Sequence, residues 1–205
     1  MTRIRKRLPE EVFEKVFTFV LKVAVEYGLL RGKTVAVDAT TLEANAAMKS
    51  IVRRDTGKTW RQYIRQLAVD EGVAAPTDED ARRLDRRRKK RVSNDDWQSR
   101  SDPESRITKM KDGRTHLAYK AEHVIDLESE VIVAAQIYPG DAGDTATVEA
   151  SLQQAETYGD QLTVPVVIEE VVGDKGYHAA ATLAACAAVG LRTYIPERDC
   201  GRRRW

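Results

Sequence analysis

Cysteine is nearly absent from this chain: Cys186 and Cys200 are the only two in 205 residues. Their spacing matches neither a zinc site nor a redox pair, so the expectation is reduced thiols in a cytoplasmic protein. Histidine is almost as scarce, and His116, His123 and His178 show no zinc-ligand spacing. No apolar run approaches the ~20 residues that a membrane span needs. The opening MTRIRKRLPEEVFEKVFTFVL starts with positive charge, as a signal peptide does, but Glu10, Glu11, Glu14 and Lys15 interrupt any apolar core. Net charge is small too: 34 basic residues stand against 32 acidic ones, so overall balance says little about partners.

What is present is length and clustered charge. The chain is long enough to bury a core and suits one domain with an insertion. Pro9 and the apolar spacing of Val12, Val16, Val20, Val23 and Tyr27 predict a helix over residues 9–28, within an N-terminal helical segment spanning 1–32. The rest, 33–205, reads as an α/β domain. TVAVD (34–38) is a short β-branched strand, and TLEANAAMKSIV after it reads as helix or turn. An insertion is expected at about 53–112, with two polar helices, a capping box at Thr77 and Asp80, and too few apolar residues for a core of its own. Runs at 117–125 and 131–138 flank DLESE, as in an antiparallel hairpin. A helix capped by Asp144, the strand VPVVIEEVVGD, an Ala-rich helix and a last strand, RTYIPE, follow. The order predicts a mixed α/β sheet.

Two apolar strands end on an aspartate, TVAVD at Asp38 and IEEVVGD at Asp174. Parallel neighbours would bring both carboxylates to the C-terminal edge, where α/β sheets place ligands. Close carboxylates repel, and a hard divalent cation that takes oxygen ligands relieves the conflict. Such a site suits metal-assisted phosphoryl chemistry. The alternative is that each Asp merely caps the element after it. A haloacid-dehalogenase-like phosphatase is a further reading, weakened because Thr40 stands where its second Asp belongs and GDKGYHAA offers no later one.

Five blocks carry a closer resemblance: TVAVDATTLEANAAMKSIVRRDTGKTW, RRLDRRRKKRVSNDDW, DPESRITKMKDGRTHLAYKAEHVID, GDAGDTAT and VVGDKGYHAAATL. In this order they resemble the DDE transposases of bacterial insertion sequences. The resemblance implies a ribonuclease-H-like core with a helical insertion after the first strand. It also implies DNA strand cleavage and strand transfer at transposon ends with Mg²⁺ or Mn²⁺, DNA as partner, and a homo-oligomer when complete. Asp38 corresponds to the first catalytic, metal-holding aspartate and Asp174 to the second. Lys175, Gly176 and Tyr177 belong to the same motif, with Lys175 and Tyr177 as DNA-contact candidates and packing as the other role for Tyr177. The family's third acid, a glutamate on a later helix, has no counterpart before Trp205, and Glu197 sits too early. The expectation is therefore a C-terminally truncated core, with a non-catalytic DNA-binding or subunit-associating remnant as the alternative.

Residues 82–91 hold eight Lys/Arg in ten: Arg82, Arg83, Arg86, Arg87, Arg88, Lys89, Lys90 and Arg91. Neutralising phosphates releases counterions, so this run is the first candidate for DNA-backbone contact, with Arg53, Arg54 and Arg61 weaker. Trp60, Tyr63 and Trp97 either stack on bases or pack in a core. Asp102 and Glu104 are turn residues or metal ligands, Glu43 a surface helix residue, and Asp126 a turn residue.

Overall fold

The computed structural model describes residues 8–87, 92–110 and 112–197. The chain forms two compact units, one from Met1–Thr40, Ala121–Ile137 and Ala142–Trp205, the other from Thr41–Lys120 and Tyr138–Asp141. In chain order the elements are α1 (Glu10–Glu26), β1 (Thr34–Glu43), a 3₁₀ turn (Met48–Ser50), β2 (Ile51–Arg53) and α2 (Trp60–Asp70). Then come α3 (Asp78–Arg87), β3 (Trp97–Ser99), β4 (Arg106–Lys109), β5 (Thr115–Asp126) and β6 (Ile132–Pro139). The last are α4 (Asp144–Asp160), β7 (Glu170–Gly173), a second 3₁₀ turn (Lys175–Tyr177), α5 (Ala180–Ala188) and β8 (Arg192–Tyr194). No described helix is long and apolar enough to cross a membrane.

The first unit is built on a mixed sheet in which β5, β1, β7 and β8 are successive neighbours and β6 also pairs with β5. β1 and β7 are parallel, as are β7 and β8. Val35, Val37, Val171 and Val124 are buried in the core, where α4 adds Val148, Leu152 and Ala155. Burying a Val or Leu side chain contributes roughly 1.5–3 kcal/mol, so this face holds the unit together. α1 forms as its spacing predicts but turns a different face inward. Leu21 and Ala24 are buried and Phe17 meets Tyr158 edge-to-face at 5.1 Å, while Val16, Val20 and Tyr27 are exposed. The helix carries a second stripe at positions 17, 21 and 24, also at helical spacing, and that stripe fits the sheet.

The β5–β6 turn is fixed by Asp126. Its buried carboxylate accepts the backbone N–H groups of Arg31, Gly32, Glu128 and Ser129. Burial raises the carboxyl pKa, but the four N–H groups outweigh it, and the net shift is downward.

The second unit corrects two expectations. TLEANAAMKSIV is not a helix: β1 runs on to Glu43, and the 3₁₀ turn and β2 follow. The core at the stretch 53–112 is not its own but shared with its flanks. Trp97 is buried with Ala44, Ile51 and Leu117, and Trp60, Tyr63 and Ile107 pack against them. The flanking strands supply the aliphatic residues that the segment itself lacks, and the three aromatic rings fill the remaining volume. The segment is also not purely helical, because β2 pairs antiparallel with β3 and β4 with β5. Both of its helices start with reciprocal caps. Thr59 and Gln62 cap α2, and Thr77 and Asp80 exchange the same pair of bonds before α3.

Candidate active site

β1 and β7 run side by side with Val35 opposite Val171 and Val37 opposite Gly173. Asp38 and Asp174 follow Val37 and Gly173, the last paired positions of this register; Asp38 lies within β1, which continues to Glu43, and Asp174 lies just beyond β7. Both are exposed. The expectation that each strand ends on its aspartate holds for β7 alone, because β1 runs five residues past Asp38. β7 is shorter than its apolar run because it covers only Glu170–Gly173. After it the chain turns at once: Asp174 caps the second 3₁₀ turn, and its Oδ1 accepts the Gly176 N–H at 2.7 Å.

A third carboxylate comes to the same turn. A Cβ on Gly176 would run into Asp144 Oδ2 and would stand 2.8 Å from Asp174 Oδ1. A side chain here would have to displace the carboxylates of both acids, and no positive φ is involved. Asp144 is therefore not the N-cap expected from sequence. Gly143 holds that position, no side chain caps the helix, and Asp144 opens the first turn of α4 with its carboxylate against Gly176. The block GDAGDTAT held the signal, but an Asp before a helical run reads first as a cap.

Below these acids lies a buried polar cluster. Glu122 on β5 is fully buried. It accepts the hydroxyls of Thr147 at 2.7 Å, Ser151 at 2.6 Å and Tyr177 at 3.1 Å. Tyr177 is itself buried, so the structure corrects its candidacy as a DNA contact: the ring packs in the core and the phenol faces Glu122. Burial pushes the phenol pKa well up, and the charges of Glu122, Asp144 and Asp38 push it further. Lys175 is exposed on the turn, and His178 is half-buried just after it.

The other candidates are placed elsewhere. Arg53 stacks over Tyr63 and Trp97, at 5.2 and 5.6 Å from the ring centroids, and pairs with Asp55 and Asp96. That is a packing role, which corrects its reading as a DNA contact. Trp97 is buried, and Trp60 and Tyr63 pack against it rather than standing free for bases. Arg54 donates to the Asn94 carbonyl, and Arg61 is exposed on α2. Arg82, Arg83, Arg86 and Arg87 are exposed on α3, with Arg83 paired to Asp80. Arg88, Lys89, Lys90 and Arg91 lie outside the described residues. Asp102 accepts the Tyr119 hydroxyl at 2.6 Å, and Glu43, on a strand rather than a helix, pairs with His116 Nδ1 at 2.6 Å. Glu197 is exposed beyond β8.

Whether a divalent cation fits follows from the donors. Asp38, Asp174 and Asp144 make an all-oxygen, acidic set of the kind that hard cations take, and two protein carboxylates suffice when substrate and water complete the shell. Among the described residues no group of three or more His, Cys, Asp or Glu already stands in metal-holding geometry. The fit is therefore that of a pair of acids on adjacent strands with a third beside one of them.

Asp38 within β1 and Asp174 just beyond its parallel neighbour β7 thus lie on adjacent strands of a mixed α/β sheet, a class of fold whose ligand sites commonly sit outside the carboxyl ends of parallel strands. The family is identified more narrowly. The model of the transposase DDE domain matches residues 30–202, and the chain belongs to that family. Comparison with curated proteins gave no match.

Proposed function

We propose that this chain is a transposase catalytic core that cleaves DNA strands at insertion-sequence ends and transfers them, with Asp38 and Asp174 as its catalytic, metal-holding acids. The observation that supports the reading is the parallel register of β1 and β7, in which Val37 and Gly173, the residues just before the two aspartates, stand opposite each other. The neighbour order β5, β1, β7, β8, with β6 also on β5, supports a ribonuclease-H-like core.

Asp38 and Asp174 hold a Mg²⁺ or Mn²⁺ ion, and Asp144 offers oxygens beside Asp174. When bound, such an ion stabilises charge on phosphodiester oxygens and favours the deprotonated form of an attacking water or 3′-hydroxyl. The protein's part is orientation. The 3₁₀ turn holds Asp174 by the Gly176 N–H, and Gly176 leaves the acids room. Lys175, exposed on that turn, meets a DNA phosphate, and the exposed arginines of α3 neutralise others. A phosphatase reading has less support, because Thr40 replaces the acid its chemistry needs.

The test is nicking of supercoiled plasmid carrying the DNA that flanks the reading frame, with Mg²⁺ or Mn²⁺. Nicking that EDTA abolishes, without hydrolysis of p-nitrophenyl phosphate, is expected. DNA binding without nicking favours the non-catalytic reading, and hydrolysis of the small ester alone contradicts both.

A further inference from the structure

We infer that Glu122 is a positioning residue: one buried carboxylate fastens both elements that carry acids of the site, α4 through Thr147 and Ser151 and the Lys175–Tyr177 turn through the Tyr177 phenol. The inference rests on the catalytic reading above and adds the device that sets its geometry.

Three observations carry it. The first is spacing. Thr147 follows Asp144 by three residues on α4, and Tyr177 follows Asp174 by three residues across the turn. Each acid is thus about one helical turn from a side chain bound to the same carboxylate. The second is chemistry. A carboxylate only accepts, so the hydroxyls of Thr147, Ser151 and Tyr177 must all donate, and their protons are fixed in direction. A glutamine offers a single carbonyl oxygen and two donors in the same place, and cannot satisfy all three hydroxyls as donors. The third is burial. Glu122 and Tyr177 are almost entirely out of water, where a charge-assisted hydrogen bond is stronger and its loss is felt more. The strand bearing Glu122 neighbours β1, which carries Asp38.

Within the turn the Tyr177 N–H donates to the Asp174 carbonyl at 3.2 Å, the His178 N–H to the Lys175 carbonyl at 3.3 Å, and the Gly176 N–H to Asp174 Oδ1 at 2.7 Å. A three-residue 3₁₀ turn has poor hydrogen-bond geometry and little stability of its own. The phenol bond adds a fixed direction to the packing of the buried Tyr177 ring in the core.

The test compares the full chain with Tyr177→Phe, which keeps the ring and removes only the hydroxyl, and with Glu122→Gln. Two readouts are used: amide hydrogen exchange at Gly176 and Tyr177 by NMR, and Mn²⁺ binding by electron paramagnetic resonance. Loss of one buried bond to a charged group predicts exchange at those two amides faster by about tenfold or more. Mn²⁺ half-saturation should rise several-fold, while the melting temperature falls by only several degrees, as the loss of one such bond implies. In the nicking assay the cleavage rate of bound DNA falls and the affinity for DNA does not. Unchanged exchange at Gly176 and Tyr177 overturns the inference. Faster exchange throughout the first unit with unaltered Mn²⁺ affinity also overturns it, since that is what a merely structural bond gives. If Tyr177→Phe does not fold, Thr147→Val tests the same node from the α4 side, with the amides of the first turn of α4 as probes. A wild-type chain that binds no Mn²⁺ and nicks no DNA contradicts the proposed function, whereas the exchange comparison still decides the role of Glu122.

Discussion

Replacing Asp126 by alanine removes the acceptor of four backbone N–H groups at the β5–β6 turn. Those from Arg31 and Gly32 are 3.0 and 2.5 Å away, and those from Glu128 and Ser129 are 2.8 and 3.0 Å away. The Glu128 and Ser129 amides lie on the turn and can turn to water. Those of Arg31 and Gly32 follow α1 just before β1, and the bond from Gly32 is buried. Two donors left without a partner cost about 1–3 kcal/mol each, so a loss of roughly 3–4 kcal/mol is expected for Asp126→Ala. That is a large part of the 5–15 kcal/mol of a typical domain. Asp126→Asn keeps one carbonyl acceptor and should lose about half as much. The pH dependence gives an independent check. The folded carboxyl has a pKa below its ordinary 3.8, so its stabilisation is fully present above that value and is lost as pH falls through the folded pKa. The wild-type advantage over Asp126→Ala should therefore be constant from neutral pH down to about pH 5 and shrink in stronger acid. Urea denaturation followed by circular dichroism measures it. A difference below about 1 kcal/mol at pH 7, or one that grows in acid, refutes the reasoning.

Gly176→Ala puts a methyl group where the oxygens of Asp144 and Asp174 now meet. It should abolish nicking while leaving the melting temperature within a few degrees, as thermal denaturation of the variant will show. Trp97→Ala empties the aromatic core of the second unit and should cost about 3–5 kcal/mol, read as a lower urea midpoint. Changing Arg82, Arg86 and Arg87 together to Gln should weaken DNA binding uniformly across sequences and, if each contacts a phosphate, flatten the slope of log K against log salt by about 2.7. An unaltered slope would take α3 off the DNA. Thr77→Ala breaks the capping box of α3 and should cost about 1 kcal/mol of stability.

The end of β7 at Asp174 was legible because the Gly173–Asp174 step marks it locally, whereas nothing around Asp38 shows that β1 runs on to Glu43. The turn role of Asp126 and the capping box of Thr77 were legible for the same reason, since each depends on neighbours a few residues away. The site residues that sequence reading missed depend on distant contacts. Asp144 looks like a cap until α4 is packed beside the Lys175–Tyr177 turn, and nothing within a few residues of Glu122 announces that it is buried. Tyr177 belonged to the right motif with an open role, because only the tertiary fold shows which way a phenol faces. The core of the second unit was hidden similarly. Its aliphatic residues, Ala44, Ile51 and Leu117, lie outside the aromatic-bearing stretch they pack against. The inward face of α1 was ambiguous in the sequence itself, which carries two apolar stripes.

The central claim is that Asp38 and Asp174 act as one unit on DNA. It is tested most directly by nicking rates of Asp38→Asn, Asp174→Asn and the double variant under saturating Mg²⁺, with DNA affinity measured alongside. The account predicts that each single change lowers the rate at least about a hundredfold with affinity unchanged, and that the double variant is hardly slower than either, because residues acting together are not additive. A single variant that keeps near wild-type nicking, or losses that simply multiply in the double variant, would contradict it.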